Sequence, residues 1–240
     1  MPIQTVEPQR LYRQIAEQLR QLMASGEFAV GSRLPAERDL AAQLGVSRPS
    51  VREALIALEV EGMIEVRTGS GIYVQSTTQT KNTKAPAPID TSAEWGPLEV
   101  MSARILVESE VAALAAQNAQ KTDIQAIRDG LQQMKQEAAR NEMPREGDEA
   151  FHAAIAQACG NSVLLDTVQR FWQARKGPLF ERLGDYFEHP ASWKAAIAEH
   201  QSVLDAIEAH DTSAARKAMQ KHLKQAYKRY SVSWRRAPAR

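Results

Sequence analysis

The chain has 240 residues, 43% of them hydrophobic, and its 30 Lys and Arg residues nearly balance its 29 Asp and Glu residues. This length suffices for one large or two modest domains with a buried core. Because the sequence has neither an apolar run of about eighteen residues nor a charged-then-apolar leader, we expect a soluble, cytoplasmic protein. The single cysteine, Cys159, excludes an internal disulfide and is interpreted as a small core residue.

The first two predicted elements are short helices. The first has an apolar stripe and ends near Ser25-Gly26. The stripe consists of Leu11, Ile15, Leu19 and Leu22. The second helix is predicted from Pro35, which suits a first helical position, and Gly45 ends it. Glu37 and Asp39 place negative charge in its first turn, where the helix dipole favours it.

A third helix and a hairpin complete the predicted first domain. Ser47 is a good N-cap for this helix, and Gly62 ends it. Its inward face carries Val51, Leu55 and Leu58. Apolar and polar residues then alternate in 64–66 and 72–74 around a glycine-rich turn at 68–71, which predicts a β-hairpin. We interpret these elements as a winged helix-turn-helix.

Three arginines lie where such a fold reads DNA. Arg48 and Arg52 are one turn apart near the start of the third helix, outside its apolar face, and Arg38 is near the start of the second. A recognition helix enters the major groove N-terminal end first, and arginine matches the O6 and N7 atoms of guanine. We therefore predict base contacts. The alternative is that these arginines only solvate an exposed face.

These motifs resemble the DNA-binding half of the GntR regulators, as shown by Leu34-Pro-Ala-Glu-Arg38, Val46-Ser-Arg-Pro-Ser-Val-Arg-Glu-Ala-Leu55 and Gly69-Ser-Gly71. The resemblance implies that Arg38, Arg48 and Arg52 contact operator bases. It also implies that the tip of the wing, Thr68 and Gly69, enters the minor groove. Neighbouring side chains are predicted to contact phosphates, which set register without reading sequence. They are Arg33, Ser47, Ser50 and Arg67.

Helical patterns dominate the rest of the chain, without a convincing strand. Residues 77–93 lack a hydrophobic period and are predicted to be a linker. The predicted helices span 97–118, 123–141, 145–159, 162–183, 192–209 and 212–232, with Thr122, Asn161 and Ser192 as N-caps. The expected fold is therefore mostly α, with a winged helix-turn-helix domain at 8–76 and an all-α bundle at 94–234.

Four residues of the bundle form a candidate metal site. Asp148 and His152 share one face of a helix, whereas His200 and His222 lie on two later helices with apolar flanks. If the bundle brings these helices together, three imidazoles and one carboxylate meet in its core. Such a set suits Zn²⁺ or Ni²⁺ and leaves positions open for a ligand. The alternative is that these are ordinary core or surface histidines.

The bundle sequence resembles the FCD ligand-binding domain of the FadR-type GntR branch. The resemblance rests on Arg104-x-x-x-Glu108, Asp148-x-x-Phe-His152, Glu199-His200 and the string from Asp211 to His222-Leu223. It implies a bundle of about six helices in which one Asp and three His hold a metal, and the metal holds a carboxylate-bearing effector. Two further histidines, His189 and His210, fall outside this pattern and are interpreted as surface residues.

A carboxylate effector would also favour a cation, and arginine binds carboxylates through two parallel N–H bonds. The candidate effector contacts are Arg104, Arg175 and Trp172, which lies one turn before Arg175. The alternatives are that Arg104 pairs with Glu108 within its helix and that Trp172 only packs in the core.

The closest likeness within the branch is to regulators of hexuronate use, through Leu58-Glu-Val-Glu-Gly62, Trp95-Gly-Pro97 and Trp172 with Arg175. The leading hypothesis is a homodimeric DNA-binding repressor that reads a pseudo-palindromic operator and is released by a sugar acid. A second hypothesis is a metal-dependent enzyme acting on a small carboxylate, fused to a DNA-binding arm. Because no dedicated base stands beside the predicted ligands, we do not expect an enzyme. A third hypothesis is a helical dimerisation module without a ligand.

Overall fold

The computed structural model describes residues 10–67, 69–77 and 95–231, and the chain divides into two compact units. The first unit contains the described residues of Met1–Leu98 together with Pro178–Leu183, and the second contains those of Glu99–Gly177 and Gly184–Val232. Helices make up most of the described residues, which confirms the predicted fold class. None of the described helices is long and apolar enough to cross a membrane. Except for Thr77, the predicted linker lies outside the described residues.

The first unit contains a three-helix core and a wing. Its elements are α1 (Leu11–Ala24), α2 (Glu37–Leu44), α3 (Arg48–Val60), β1 (Ile64–Arg67) and β2 (Gly71–Val74). Both α1 and α2 pack against α3, and the two strands are antiparallel with Ile64 opposite Val74. The predicted inward residues of α3 are fully buried. The stripe of α1 differs at one end, because Tyr12 is buried and Leu11 is exposed.

Local signals explain the boundaries of α2 and α3. Gly45 has a φ of 66°, a left-handed conformation that ends α2 at little cost only in glycine. The Ser47 hydroxyl accepts a hydrogen bond from the Ser50 N–H and caps α3, as predicted. The predicted start of α2 at Pro35 is wrong. This helix begins at Glu37, and Ala36 is its N-cap.

The later helices in the described part of the chain are α4 (Pro97–Asn118), α5 (Lys121–Ala139), α6 (Arg145–Ala158), α7 (Ser162–Ala174), α8 (Pro178–Phe187), α9 (Pro190–Glu208) and α10 (Thr212–Ser231). The prediction of one helix over 162–183 is wrong, because Pro178 lacks the N–H that would continue α7 and its ring disfavours a helical Gly177. Asn161 caps α7 as predicted. The predicted caps Thr122 and Ser192 are wrong, since Gln120 and His189 hold those positions.

Two glycines let α5 and α6 pack with their backbones in contact. A Cβ added to Gly130 would lie 2.7 Å from the backbone N of Phe151, and one on Gly147 would overlap the backbone of Met134. Helix α9 packs against both α5 and α10. Since Gly147 directly precedes Asp148, this close crossing places the start of α6 within the bundle.

Candidate metal centre and DNA-reading surface

Helices α6, α9 and α10 bring the four predicted metal ligands together. Asp148 and His152 come from α6, His200 from α9 and His222 from α10, and one ligand atom of each lies within 4.8 Å of the others. The three imidazoles are buried, and the carboxylate is partly exposed. These residues are far apart in the sequence, so the bundle alone assembles the cluster.

The Nδ1 atom of each clustered histidine faces an oxygen acceptor. His152 Nδ1 lies 2.5 Å from Glu108 Oε2, His200 Nδ1 lies 2.7 Å from the Ala196 carbonyl, and His222 Nδ1 lies 2.8 Å from Glu199 Oε2. Such contacts place the proton on Nδ1, because a carbonyl or carboxylate oxygen can only accept it. The Nε2 lone pairs are then available to a metal, and the outer oxygens hold the rings in orientation.

The inward atoms of the cluster fit a cation. His200 Nε2 lies 2.9 Å from Asp148 Oδ1, so a neutral imidazole would face the carboxylate with lone pair against lone pair. His152 Nε2 is buried without a hydrogen-bond partner among the described residues, and it lies 3.5 Å from the same oxygen. A buried acceptor without a partner is costly, whereas a metal ion would satisfy all of these atoms.

Nearby charges keep the carboxylates of the site ionised. Burial opposes ionisation of Glu108, but Arg104 and His152 outweigh it and lower the pKa of Glu108 to about 2. Burial likewise opposes ionisation of Asp148, yet the positive charge of Arg175 holds its pKa well below the usual value. Burial, reinforced by the other two imidazoles, holds the pKa of His222 well below its ordinary value. These shifts favour an ionised Asp148 and a neutral His222, which are the forms of these side chains that bind metals.

A layer of two arginines and one tryptophan borders the cluster. The guanidinium carbons of Arg104 and Arg175 lie 4.7 and 4.1 Å from the Trp172 ring centroid, and the indole N–H is buried without a described partner. Arg104 is fully buried and bonds Glu108, with Nε 2.5 Å from Oε1. The structure therefore contains the intrahelical pair that the sequence offered as the alternative. Arg175 Nη1 donates to Asp148 Oδ2 over 3.1 Å, which links this layer to the ligands.

The outer partners of the histidines were not predicted from the sequence. Glu108 was considered as a partner of Arg104 and Glu199 only as part of a motif, neither as an acceptor for His152 or His222. Arg229 Nη1 also donates to Glu199 Oε1 over 3.2 Å. These contacts join different helices, so no local spacing could have indicated them. His210, predicted to be a surface residue, is exposed and its Nδ1 donates to the Ala116 carbonyl.

The three predicted base-reading arginines have different environments in the first unit. The side chain of Arg38 is 81% exposed beside Asp39, and that of Arg48 is 47% exposed with Nε 3.1 Å from Glu37 Oε1. Arg52 has no exposed surface and bonds Glu37 through Nε and Nη2 at 2.8–3.1 Å. The expectation that Arg52 lies on an exposed face is therefore wrong, because Glu37 at the start of α2 covers that side of α3.

The other predicted DNA contacts lie on the surface around α3 and the wing. Arg33, Ser47, Arg67 and Gly69 are exposed, and Ser50 is half-buried. Arg67 stacks on Tyr73, with its guanidinium carbon 4.6 Å from the ring centroid, and it also bonds Glu65. Thr68 lies outside the described residues. The surface is accessible to DNA, and the contacts themselves stay predictions.

Two protein-family models match this chain. The family described as bacterial regulatory proteins of the gntR family matches residues 11–74, and the FCD domain matches residues 99–225. The second match alone spans more than half of the chain. Together, the two matches cover the winged helix-turn-helix and the bundle that holds the candidate metal centre.

Curated relatives and a solved structure extend this likeness. The Uxu operon transcriptional regulator of Escherichia coli is 37% identical over 218 residues, covering 90% of this chain and 84% of the relative. The Exu regulon transcriptional regulator of the same organism is 38% identical over 227 residues, covering 92% and 84%. The solved structure of Lar, described as controlling expression of the Listeria monocytogenes agr system, has a TM-score of 0.50 at 15% identity, covering 94% of this chain and 98% of Lar. That structure supports the fold alone.

Proposed function

Since the chain belongs to the GntR family of bacterial regulatory proteins and carries an FCD domain, we propose that it is a cytoplasmic repressor released by a small carboxylate. It is a transcriptional regulator, as its relatives are, and not an enzyme. In this proposal residues 8–76 read DNA, 77–93 form a linker, and 94–234 bind the effector and dimerise. The observation that carries the proposal is the cluster of four ligand atoms inside the bundle.

Asp148, His152, His200 and His222 would hold one divalent ion, with Zn²⁺ or Ni²⁺ best suited to three nitrogens and one oxygen. When bound, this ion supplies positive charge and open positions for a carboxylate oxygen. The orientation of the imidazoles comes from the chain itself, through the oxygen acceptors at the three Nδ1 atoms.

We assign the effector contacts beside the ion to Arg175 and Trp172, with Arg104 behind the ring. Arg175 carries a positive charge next to Asp148, and the N–H of Trp172, which has no partner within the described part of the chain, is a buried donor for an oxygen-rich ligand. A hexuronate-like sugar acid offers both a carboxylate and hydroxyl acceptors. The names of the Uxu and Exu relatives agree with this ligand class.

On the DNA side, we propose a homodimer that places two reading heads on one pseudo-palindromic operator. One winged helix buries too little surface for typical specific affinity, whereas two bind a site with two-fold symmetry. An effector can shift operator affinity only if it binds the DNA-competent and released arrangements differently. The proposed ligands come from three helices, so the relative positions of these helices set the geometry of the metal site. An effector bound there can therefore distinguish the two arrangements.

The test is operator affinity with and without a hexuronate, measured together with metal content for wild type, His200→Ala and His222→Ala. We expect both variants to lose the metal and the response to the sugar acid while still binding operator. His210→Asn is the matched control, because His210 lies outside the cluster and Asn tolerates its positive φ. If the two variants respond like wild type, the effector does not act through this cluster and the proposal fails.

A further inference from the structure

Glu37 is the point at which two of the predicted DNA-reading arginines meet. Its side chain is 7% exposed. Its carboxylate accepts a hydrogen bond from Nε of Arg48 at 3.1 Å and hydrogen bonds from Nε and Nη2 of Arg52 at 2.8–3.1 Å. The pair with Arg52 is buried and two-pronged, so the position of the carboxylate is fixed relative to α3. Arg48 is different, since about half of its side chain stays in solvent.

The position of Arg48 is electrostatically unfavourable without Glu37. Arg48 is the first residue of α3, where the N-terminus of the helix dipole repels a cation, and Arg52 adds a second positive charge one turn later. The Glu37 carboxylate contacts both guanidinium groups, and its negative charge makes the position of each more favourable. A recognition helix enters the major groove with its N-terminal end. A base-reading arginine such as Arg48 therefore has to lie at the end of the helix where the helix dipole disfavours a positive charge.

The contact between Glu37 and Arg48 leaves the terminal nitrogens of Arg48 available for a base. Glu37 engages Nε, and no described residue bonds the terminal nitrogens Nη1 and Nη2. Those two nitrogens form the fork that matches O6 and N7 of guanine. A long side chain held at Nε also has fewer rotamers to lose on binding, which favours one orientation of the fork.

We propose that Glu37 is a specificity-determining positioning residue, which holds Arg48 by Nε so that its terminal nitrogens face one base pair. Arg52 serves this arrangement by fixing Glu37. The inference rests on the proposed DNA-reading role of α3 and adds a residue that does not itself touch a base. An ion pair that merely stabilises the joint between α2 and α3 would support folding and leave base preference unchanged.

The experiment compares full-length wild type with Glu37→Gln on an operator that wild type enriches from random duplex DNA. Affinity is measured for this operator and for unrelated DNA at matched salt. We expect the ratio of the two affinities to fall about ten-fold or more, as for loss of one well-placed arginine contact. Glu61→Gln is the control for charge, because Glu61 lies at the other end of α3 and its carboxylate bonds Arg20 rather than either reading arginine.

A double-mutant cycle identifies the path of the effect. If Glu37 acts through Arg48, adding Glu37→Gln to Arg48→Ala lowers the affinity ratio no further. Full additivity, or an unchanged ratio in folded Glu37→Gln, would overturn the proposal. Should Glu37→Gln unfold, Glu37→Asp keeps the negative charge but shortens the side chain by one methylene, and the same fall in the affinity ratio is expected. A wild type that enriches no sequence would instead overturn the proposed function.

Discussion

Arg52→Ala should destabilise the first unit far more than Arg48→Ala, although the two arginines lie one turn apart on α3. Arg52 has no exposed surface and makes a two-pronged pair with a carboxylate that is itself buried. Removing it leaves Glu37 buried, with the Nε of Arg48 as its only side-chain partner among the residues that the structure describes. Breaking a buried pair from one side costs about 3 kcal/mol or more.

Arg48 is the internal comparison, because it gives Glu37 one bond from a half-exposed side chain. An ion pair of that exposure contributes about 1 kcal/mol or less, so Arg48→Ala should stay close to wild type. For a unit of this size, each kcal/mol shifts the unfolding temperature by about 4–8 °C. Arg52→Ala is therefore expected to lower that temperature by about 12–24 °C.

The measurement is calorimetry of the full-length protein, with hydrogen exchange of the α2 and α3 peptides to assign the transition. The double variant Glu37→Gln with Arg52→Met should unfold at a clearly higher temperature than Arg52→Ala, since it leaves no unpaired buried charge behind. Equal unfolding temperatures for Arg52→Ala and Arg48→Ala would refute the reasoning, because the burial of Arg52 would then have no energetic consequence.

Three further outcomes are expected. Arg48→Ala should weaken operator binding by about 1–3 kcal/mol at matched salt, and wild-type affinity in this variant would remove Arg48 from the reading surface. Glu199→Gln should lower zinc affinity by about 10–100-fold, as for other outer partners of metal-bound histidines, although all four ligands remain. Glu208→Gln on the same helix, in an exposed pair with Arg128, is its control in the competition titration. Light scattering should give the mass of a dimer bound to one operator, and a monomer bound one-to-one would count against the proposed assembly.

The cluster of four candidate metal ligands could be predicted from the sequence, but the residues that orient it could not. Asp148 and His152 are four residues apart on one helix, His200 and His222 lie on later helices with apolar flanks, and the resemblance to the FCD domain supported the whole set. The carboxylate acceptors at Nδ1 of His152 and His222 are set by how α4, α6, α9 and α10 pack, and packing is not encoded in local spacing. Glu108 is 44 positions from His152, so only the folded bundle reveals that the two residues meet.

The exposure of Arg48 and Arg52 could not be predicted from the sequence either. Helical periodicity correctly placed both arginines outside the apolar face of α3 formed by Val51, Leu55 and Leu58. It could not show that α2 covers Arg52 and leaves Arg48 half in solvent, because exposure depends on the neighbouring helix. The division between α7 and α8, in contrast, could have been predicted from the sequence, although one helix over 162–183 was predicted instead. Gly177-Pro178 disfavours a continuous helix.

The glycines at the crossing of α5 and α6 bear on how this centre can be recognised in other sequences. A methyl group at Gly147 would force the two backbones apart and shift Asp148 and His152 away from the histidines of α9 and α10. All four ligands would still be present in such a sequence, yet they would no longer converge. A search pattern for this cluster is therefore more selective if it requires small residues at these two positions, which are not themselves candidate ligands.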